Sequence, residues 1–178
     1  YNVSGRFQFK KIVFMPFERN ASIVVYEARN GSQRKVKVAV TPLVNSRNFH
    51  WVTGKNQFQL SVRAVSSQQV LVQPSTKQSA LILSTTDGHF VPGEGEWREV
   101  AYRVEAERAE SSVDHCYSSG FFEFEVEPDQ SKSVFLTAVG GKDESQVRQA
   151  VSALGGDSVS LSRLYDEEVK RRMMLLDR

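Results

Sequence analysis

Apolar and polar residues alternate along many short segments up to about residue 140, and this period of two limits the folds that the chain can adopt. Valine alternates with lysine and alanine over residues 35–40, and phenylalanine and valine alternate with glutamate over 122–127. Such segments are typical of strands with one buried and one solvated face. About nine of them occur with no helical pattern between them, which disfavours a parallel sheet with crossover helices. We therefore predict a mainly β fold, an antiparallel β-sandwich.

Three segments make predictions about individual strands and turns. Asn30-Gly31 lies between the runs 22–28 and 35–40 and predicts a hairpin, because both residues tolerate the positive φ of a tight turn. The glycines and proline of 91–95 predict a loop. Residues 97–108 alternate throughout and are predicted to form one strand, which would place Glu105 and Glu107 on the same face about 6.6 Å apart.

The period changes after Gly140-Gly141. Asp143 has a glutamine three residues further on, a spacing that caps a helix, and Gly155-Gly156 ends the apolar pattern that follows. A second helical pattern begins near Ser160 and has apolar last turns. We therefore expect an antiparallel β-sandwich domain over 1–140 and a helical connector over 141–178. We expect this connector to lead into a following domain.

Charge and cysteine content exclude several classes of protein. The chain has 178 residues with 23 basic and 21 acidic side chains, a formal net charge of +2, and no stripe of Lys and Arg, which argues against nucleic-acid binding. No apolar run approaches the ~20 residues that span a bilayer, and no signal peptide is recognisable. The single cysteine, Cys116, cannot form an internal disulfide, so we expect a reducing, cytoplasmic location.

The residues offer no convincing catalytic or metal-binding motif. His115 and Cys116 are neighbours on a predicted strand and point to opposite faces, so they cannot form a catalytic pair. The histidines and the cysteine lack the spacings of metal ligands, and no phosphate-binding glycine loop is present, so we expect no metal and no cofactor. Glu105 and Glu107 have the separation of an inverting glycosidase pair. Their predicted position on the solvated face favours an ordinary exposed surface.

Aromatic and basic residues suggest a binding surface instead. Trp97 and Tyr102 fit either the core or a platform that stacks on sugar rings, and Trp51 is the better candidate for exposure because it follows a predicted loop. Arg47 and His50, beside Trp51, could recognise hydroxyl groups or a carboxylate of another domain. Arg47 could equally pair with an acidic residue of this chain and hold the loop.

Three segments together resemble the N-terminal domain of archaeal- and bacterial-type glycogen debranching enzymes. They are residues 24–50, which contain Pro42-Leu43-Val44-Asn45 and end in Phe49-His50, residues 97–108, and residues 114–124. The sequence departs from the family pattern at four positions. Asn48 stands where the family has Asp and Ala109 where it has Gly, while His115 replaces an acidic residue and Ser119 replaces Pro.

The resemblance implies a supersandwich of many strands that packs on a catalytic (α/α) barrel further along the same chain. It implies that the parent enzyme removes α-1,6-linked glucose from glycogen, that its catalytic carboxylates lie in the barrel, and that this domain holds no catalytic residue. The implied partners are the downstream catalytic domain and glycogen or another α-glucan. The alternative is a self-standing carbohydrate-binding or protein-interaction module. The residues expected to face the barrel or the glucan, together with Trp51, are Arg47, Phe49, His50, Trp97, Tyr102, Glu105, Glu107 and Arg108.

Overall fold

The computed structural model describes residues 2–3, 6–47, 51–57, 59–76 and 78–176. The described part forms eleven strands and three helices. The strands are β1 Asn2–Val3, β2 Phe7–Phe14, β3 Ala21–Asn30, β4 Val36–Val40, β5 Leu43–Val44, β6 Leu60–Ser66, β7 Gln69–Pro74, β8 Ala80–Thr85, β9 His89–Ala101, β10 Val113–Val126 and β11 Ser131–Gly141. The helices are α1 Arg103–Glu107, α2 Glu144–Leu154 and α3 Ser158–Leu176.

The strands form two antiparallel sheets. Sheet A has seven strands in the order β1-β2-β3-β11-β8-β7-β6. In sheet B the long strand β10 pairs with β9 along one edge and with β4 and β5 along the other. The mainly β, sandwich-type fold predicted from the alternation is therefore confirmed.

One hydrophobic core lies between the two sheets. Phe122 and Phe124 of β10 are almost completely buried and meet inward-facing residues of sheet A such as Tyr26, Leu83 and Val134. Burial of each large apolar side chain contributes about 1.5–3 kcal/mol. The alternation along β10 thus produces the face that holds the sandwich together.

A second core lies on the opposite face of sheet A. Ile23 and Ile82 of this face pack against Val147 of α2 and Leu161 of α3, all four with at most 1% of their surface exposed. The helices therefore form a third layer on sheet A. None of the helices in the described part is long and apolar enough to cross a membrane.

The capping predicted for α2 is confirmed at both ends. Asp143 Oδ1 accepts a hydrogen bond of 2.8 Å from the backbone N–H of Gln146. At the other end Gly155 adopts the left-handed conformation, with φ of 92°.

Two local predictions about strands and turns are wrong. Asn30-Gly31 does not close a hairpin, because β3 belongs to sheet A and β4 to sheet B. The buried Asn30 side chain instead donates to the carbonyls of Arg34 and Val126 and stabilises the corner where the chain changes sheets. Residues 91–95 are not a loop but part of β9, which bulges opposite the segment of β10 between Ser118 and Gly120.

Candidate functional site

A buried carboxylate at one end of sheet B anchors the loop that follows β5. The structure describes residues 45–47 and 51–53 of this loop, which we call the anchored loop. The carboxylate belongs to Asp114, the second residue of β10, and its side chain has no exposed surface. It is buried because Asp114 shares the inward-facing parity of Phe122 and Phe124 on the same strand.

Six donors surround the two oxygens of Asp114. Oδ1 accepts from the backbone N–H groups of Thr53 at 2.7 Å and His115 at 2.8 Å, and from Asn45 Nδ2 at 3.2 Å. Oδ2 accepts from Arg47 Nε at 2.9 Å and Nη2 at 2.8 Å, and from the Tyr102 hydroxyl at 3.3 Å. Both Arg47 N–H groups share Oδ2, and such charge-assisted hydrogen bonds are stronger than those between neutral groups. One side chain therefore fixes both described segments of the anchored loop.

The surroundings keep this carboxylate ionised. Burial alone would raise the pKa of Asp114, but the backbone hydrogen bonds from Thr53 and His115 and the charge of Arg47 outweigh it and lower the pKa below its usual value. Burial, together with the nearby Asp114 charge, raises the pKa of Tyr102, so its hydroxyl stays a donor. Such a site holds structure in place and is poorly suited to proton transfer at neutral pH.

Further hydrogen bonds tie the anchored loop to β10. Thr53 Oγ1 donates to Asn45 Oδ1 at 2.8 Å, and Asn45 Nδ2 also donates to the carbonyl of His115 at 3.0 Å. His115 Nδ1 lies 3.0 Å from the carbonyl oxygen of Thr53. The free thiol of Cys116 is buried, and burial raises its pKa, so it is an inert apolar neighbour of this network.

Some of the residues predicted for a binding surface meet here. Arg47 and Tyr102 both bind Asp114, so Arg47 does pair with an acidic residue and hold the loop. Trp51 belongs to the anchored loop and has 66% of its surface exposed, as predicted. Phe49 and His50 lie outside the described residues.

The other predicted tryptophan lies on the sheet rather than on the loop. Trp97 is half-buried on β9, and its ring packs edge-on against Tyr117 of β10, with 5.5 Å between the ring centroids. These two residues are direct partners in the antiparallel register. Trp97 therefore stabilises the β9–β10 pair.

The strand predicted over 97–108 is wrong in its second half. β9 ends at Ala101, and residues 103–107 form the one-turn helix α1, in which Glu105 and Glu107 project in directions about 200° apart. Glu107 forms an exposed ion pair with Arg103, and Arg108 is exposed after the helix. The alternation misled the prediction because Glu and Ala are also good helix formers. The proposed glycosidase geometry of these two glutamates is therefore wrong.

Sequence reasoning missed Asp114, Asn45 and Thr53 as members of the site. A signal for Asp114 was present, because a carboxylate at an inward-facing position of an alternating strand requires buried partners. Nothing in the local sequence indicates which distant loop supplies those partners. Among the described residues, no group of three His, Cys, Asp or Glu side chains could hold a metal ion.

The comparison with family models identifies the chain. The model described as glycogen debranching enzyme N terminal matches residues 1–133, which is 133 of the 178 residues. The chain belongs to this family. A comparison with curated proteins gave no significant match.

Membership of the glycogen debranching enzyme N-terminal family confirms the resemblance noted from the sequence. The matched range contains Asp114 and the whole anchored loop and ends within β11. It also contains Ala109, where the family pattern has glycine. Ala109 has φ of 59°, in the left-handed region that favours glycine. The alanine therefore occupies a position where the backbone needs a positive φ.

Proposed function

We propose that the chain is a non-catalytic N-terminal domain of a glycogen debranching enzyme and that it supports the catalytic barrel. The Asp114 network carries this proposal, because it holds a loop with an exposed tryptophan in one position at the end of the sandwich. A loop that is anchored in this way suits a surface that packs against a second domain or lines its substrate cleft.

The carboxylates of the described part support a non-catalytic role. A glycosidase needs one carboxylic acid with a raised pKa beside a second carboxylate. Asp114, the completely buried carboxylate, is surrounded by donors and has a lowered pKa. Glu105 and Glu107 lie in the exposed turn α1 with diverging directions.

Apolar side chains surround the anchored loop on the outer surface. Trp51 and Val52 are exposed, and so are Val104 of α1 and Val113, the neighbour of Asp114 on β10. Because α1 connects the paired ends of β9 and β10, these four residues lie at the same end of sheet B. An exposed apolar group beside charged residues is typical of an interaction site. We propose that this end of the domain faces the barrel or the glucan.

The C-terminal helices suit the proposed connector over 141–178. The first turns of α3 pack on sheet A through Leu161, but Met173, Met174, Leu175 and Leu176 are more than half exposed. Apolar side chains gain free energy when another surface covers them. We propose that this part of α3 leads into the catalytic domain.

The direct test is the release of glucose from a limit dextrin by the purified chain and by the complete enzyme that contains it. The proposal expects activity from the complete enzyme only. In the complete enzyme, Trp51→Ala should lower the rate, whereas Val159→Ala, which removes a side chain that is 81% exposed on α3, should leave it unchanged. Glucose release by the chain alone, with contaminating enzymes excluded, would contradict the proposal.

The exposure of Trp51 also favours a second candidate, a self-standing carbohydrate-binding module. Flat aromatic faces bind the apolar faces of sugar rings. In this case glycogen cast into a native gel should retard the chain, and Trp51→Ala should abolish the retardation. Equal mobility of the native chain and the Trp51→Ala variant would reject the module that binds through this residue.

A further inference from the structure

A cleft with a mixed apolar and polar lining lies beside the anchored loop, on the side of the sandwich where α2 begins. Its volume is about 860 Å³, within the roughly 300–1,000 Å³ typical of sites for small ligands. Residues 45–47 form one wall, residues 78–81 at the start of β8 form a second, and residues 140–142 with the first turns of α2 form a third. The cleft thus joins three parts of the chain that are distant in sequence.

Hydrogen-bonding side chains line the walls of the cleft, and apolar residues form its floor. Ser46, Gln78, Ser79 and Lys142 are the polar side chains on which the argument depends, since the other polar side chains of the lining bind the chain itself, as Asn45 binds Asp114. Leu60, Val72 and Leu81 belong to the floor. Amides and hydroxyls both donate and accept hydrogen bonds, as the hydroxyl groups of a sugar do. An apolar floor beneath such groups suits the C–H faces of sugar rings.

The lining of the cleft carries few charges. No described lining residue carries a carboxylate. The charge of Arg47 is compensated by Asp114, and the nearby acidic residues Asp143 and Glu144 are used by the helix cap and by ion pairs with Arg63 and Arg148. Of the two cationic side chains that line the cleft, Lys142 is the one with no ion pair in the described part of the chain, so it can donate to a ligand oxygen.

We propose that this cleft binds a short linear segment of an α-1,4-linked glucan. The size of the cleft and its mixed apolar and hydrogen-bonding lining suit an oligosaccharide, and the choice of a neutral α-glucan rests on the proposed function. The site is distinct from the exposed Trp51, which does not line the cleft. Binding here would hold an outer chain of a branched glucan against the domain while the debranching reaction takes place elsewhere.

The test measures binding rather than catalysis, so it does not depend on the catalytic domain. Isothermal titration calorimetry of the chain with maltopentaose should show saturable binding, and cellopentaose and inorganic phosphate should bind at least tenfold more weakly. Gln78→Ala and Lys142→Ala should each weaken maltopentaose binding about two- to tenfold, the effect of one lost hydrogen bond.

A blocking variant and its control locate the binding. Ser79 is half-buried in the cleft with its hydroxyl 3.5 Å from that of Ser46, so Ser79→Trp should fill the cleft and abolish binding. Ser133→Trp adds the same side chain at an exposed position of β11 outside the cleft and should leave binding unchanged. Circular dichroism of each variant checks its fold. If Ser79→Trp does not fold, the affinity of Gln78→Ala for maltopentaose tests whether binding takes place in the cleft.

Several results would overturn this inference while leaving the proposed function intact. They are the absence of maltopentaose binding, equal binding of cellopentaose, preferential binding of phosphate, and undiminished binding by Ser79→Trp and Gln78→Ala. Loss of binding in Trp51→Ala but not in the cleft variants would place the glucan on the anchored loop. Glucose release by the chain alone would instead contradict the proposed function and would leave the binding measurements unaffected.

Discussion

Replacement of Asp114 by asparagine tests whether one buried charge holds the anchored loop. The substitution keeps the size of the side chain but turns one oxygen into an NH₂ group. In the native chain each carboxylate oxygen accepts from three donors. In the variant, either orientation of the amide therefore places its NH₂ group against other donors. The Asp114→Asn variant therefore loses the ion pair with Arg47 and about half of the hydrogen bonds.

The expected cost follows from this burial. Breaking a buried ion pair by changing one partner typically costs about 3–5 kcal/mol. The Arg47 side chain is 23% exposed and can turn partly toward water in the variant, which reduces the penalty. We expect the free energy of unfolding to fall by about 3 kcal/mol at pH 7. Urea denaturation followed by tryptophan fluorescence measures this change in stability, because Trp51 lies in the anchored loop and Trp97 on the strand that pairs with β10.

The pH dependence gives the prediction a second, independent test. The pKa of Asp114 is lower in the folded chain than its unfolded value of about 3.9, so its stabilisation is fully present above that pH and is lost as the pH falls through the folded pKa. The difference between the native chain and Asp114→Asn should be constant above about pH 5 and shrink in more acidic solution.

A matched control separates this network from an ordinary surface charge. Glu96→Gln removes a carboxylate that pairs with Arg98 at an exposed position and should cost no more than about 0.5 kcal/mol. A loss below about 1 kcal/mol for Asp114→Asn at pH 7, or a difference that grows as the pH falls, would refute the reasoning.

Three other substitutions and one control test the backbone and the C-terminal helix. Ala109→Gly should stabilise the chain by about 0.5–1 kcal/mol in the same urea assay, because Ala109 has φ of 59°. Gly88→Ala should lower the free energy of unfolding by about 2 kcal/mol or more, because Gly88 has a φ of +77° and the new Cβ would lie 2.0 Å from a backbone oxygen. As the control, Gly54→Ala places its Cβ in ordinary contacts only and should be nearly neutral. Two arginines of α3 hold the pKa of Glu168 at about 2, so Glu168→Gln should speed amide exchange in α3 at neutral pH. That difference should disappear as the pH falls from about 4 toward 2.

The type and approximate position of most elements could be predicted from the sequence, because their patterns are local. The alternation of residues 122–127 and the capping residues Asp143 and Gly155 each correspond to an observed element. The partners of the strands could not be predicted in this way. Asn30-Gly31 has the propensity for a tight turn, but only the tertiary structure shows that the Asn30 amide is buried at a corner between the sheets.

The segment 97–108 shows where alternation fails as a guide. Its first half alternates because β9 has two different faces, while its second half alternates by coincidence in a run that suits a helix. The backbone N–H groups of Arg108 and Glu110 both donate to the carbonyl of Glu105, and Ala109 completes the turn with a positive φ. These contacts end the helix after one turn and return the chain to β10.

The candidate site could be predicted only in part, because it depends on a pair of residues 67 positions apart. Arg47 had two equal interpretations from the sequence alone, and its ion pair with Asp114 shows that it holds the loop. This has a consequence for function. Loss of either partner of a buried charge pair leaves the other one unpaired, and that charge must find water or a new partner. Exchange of Arg47 for methionine should therefore disturb the exposed Trp51 about as much as exchange of Asp114 does, although neither residue has to touch the surface that Trp51 faces.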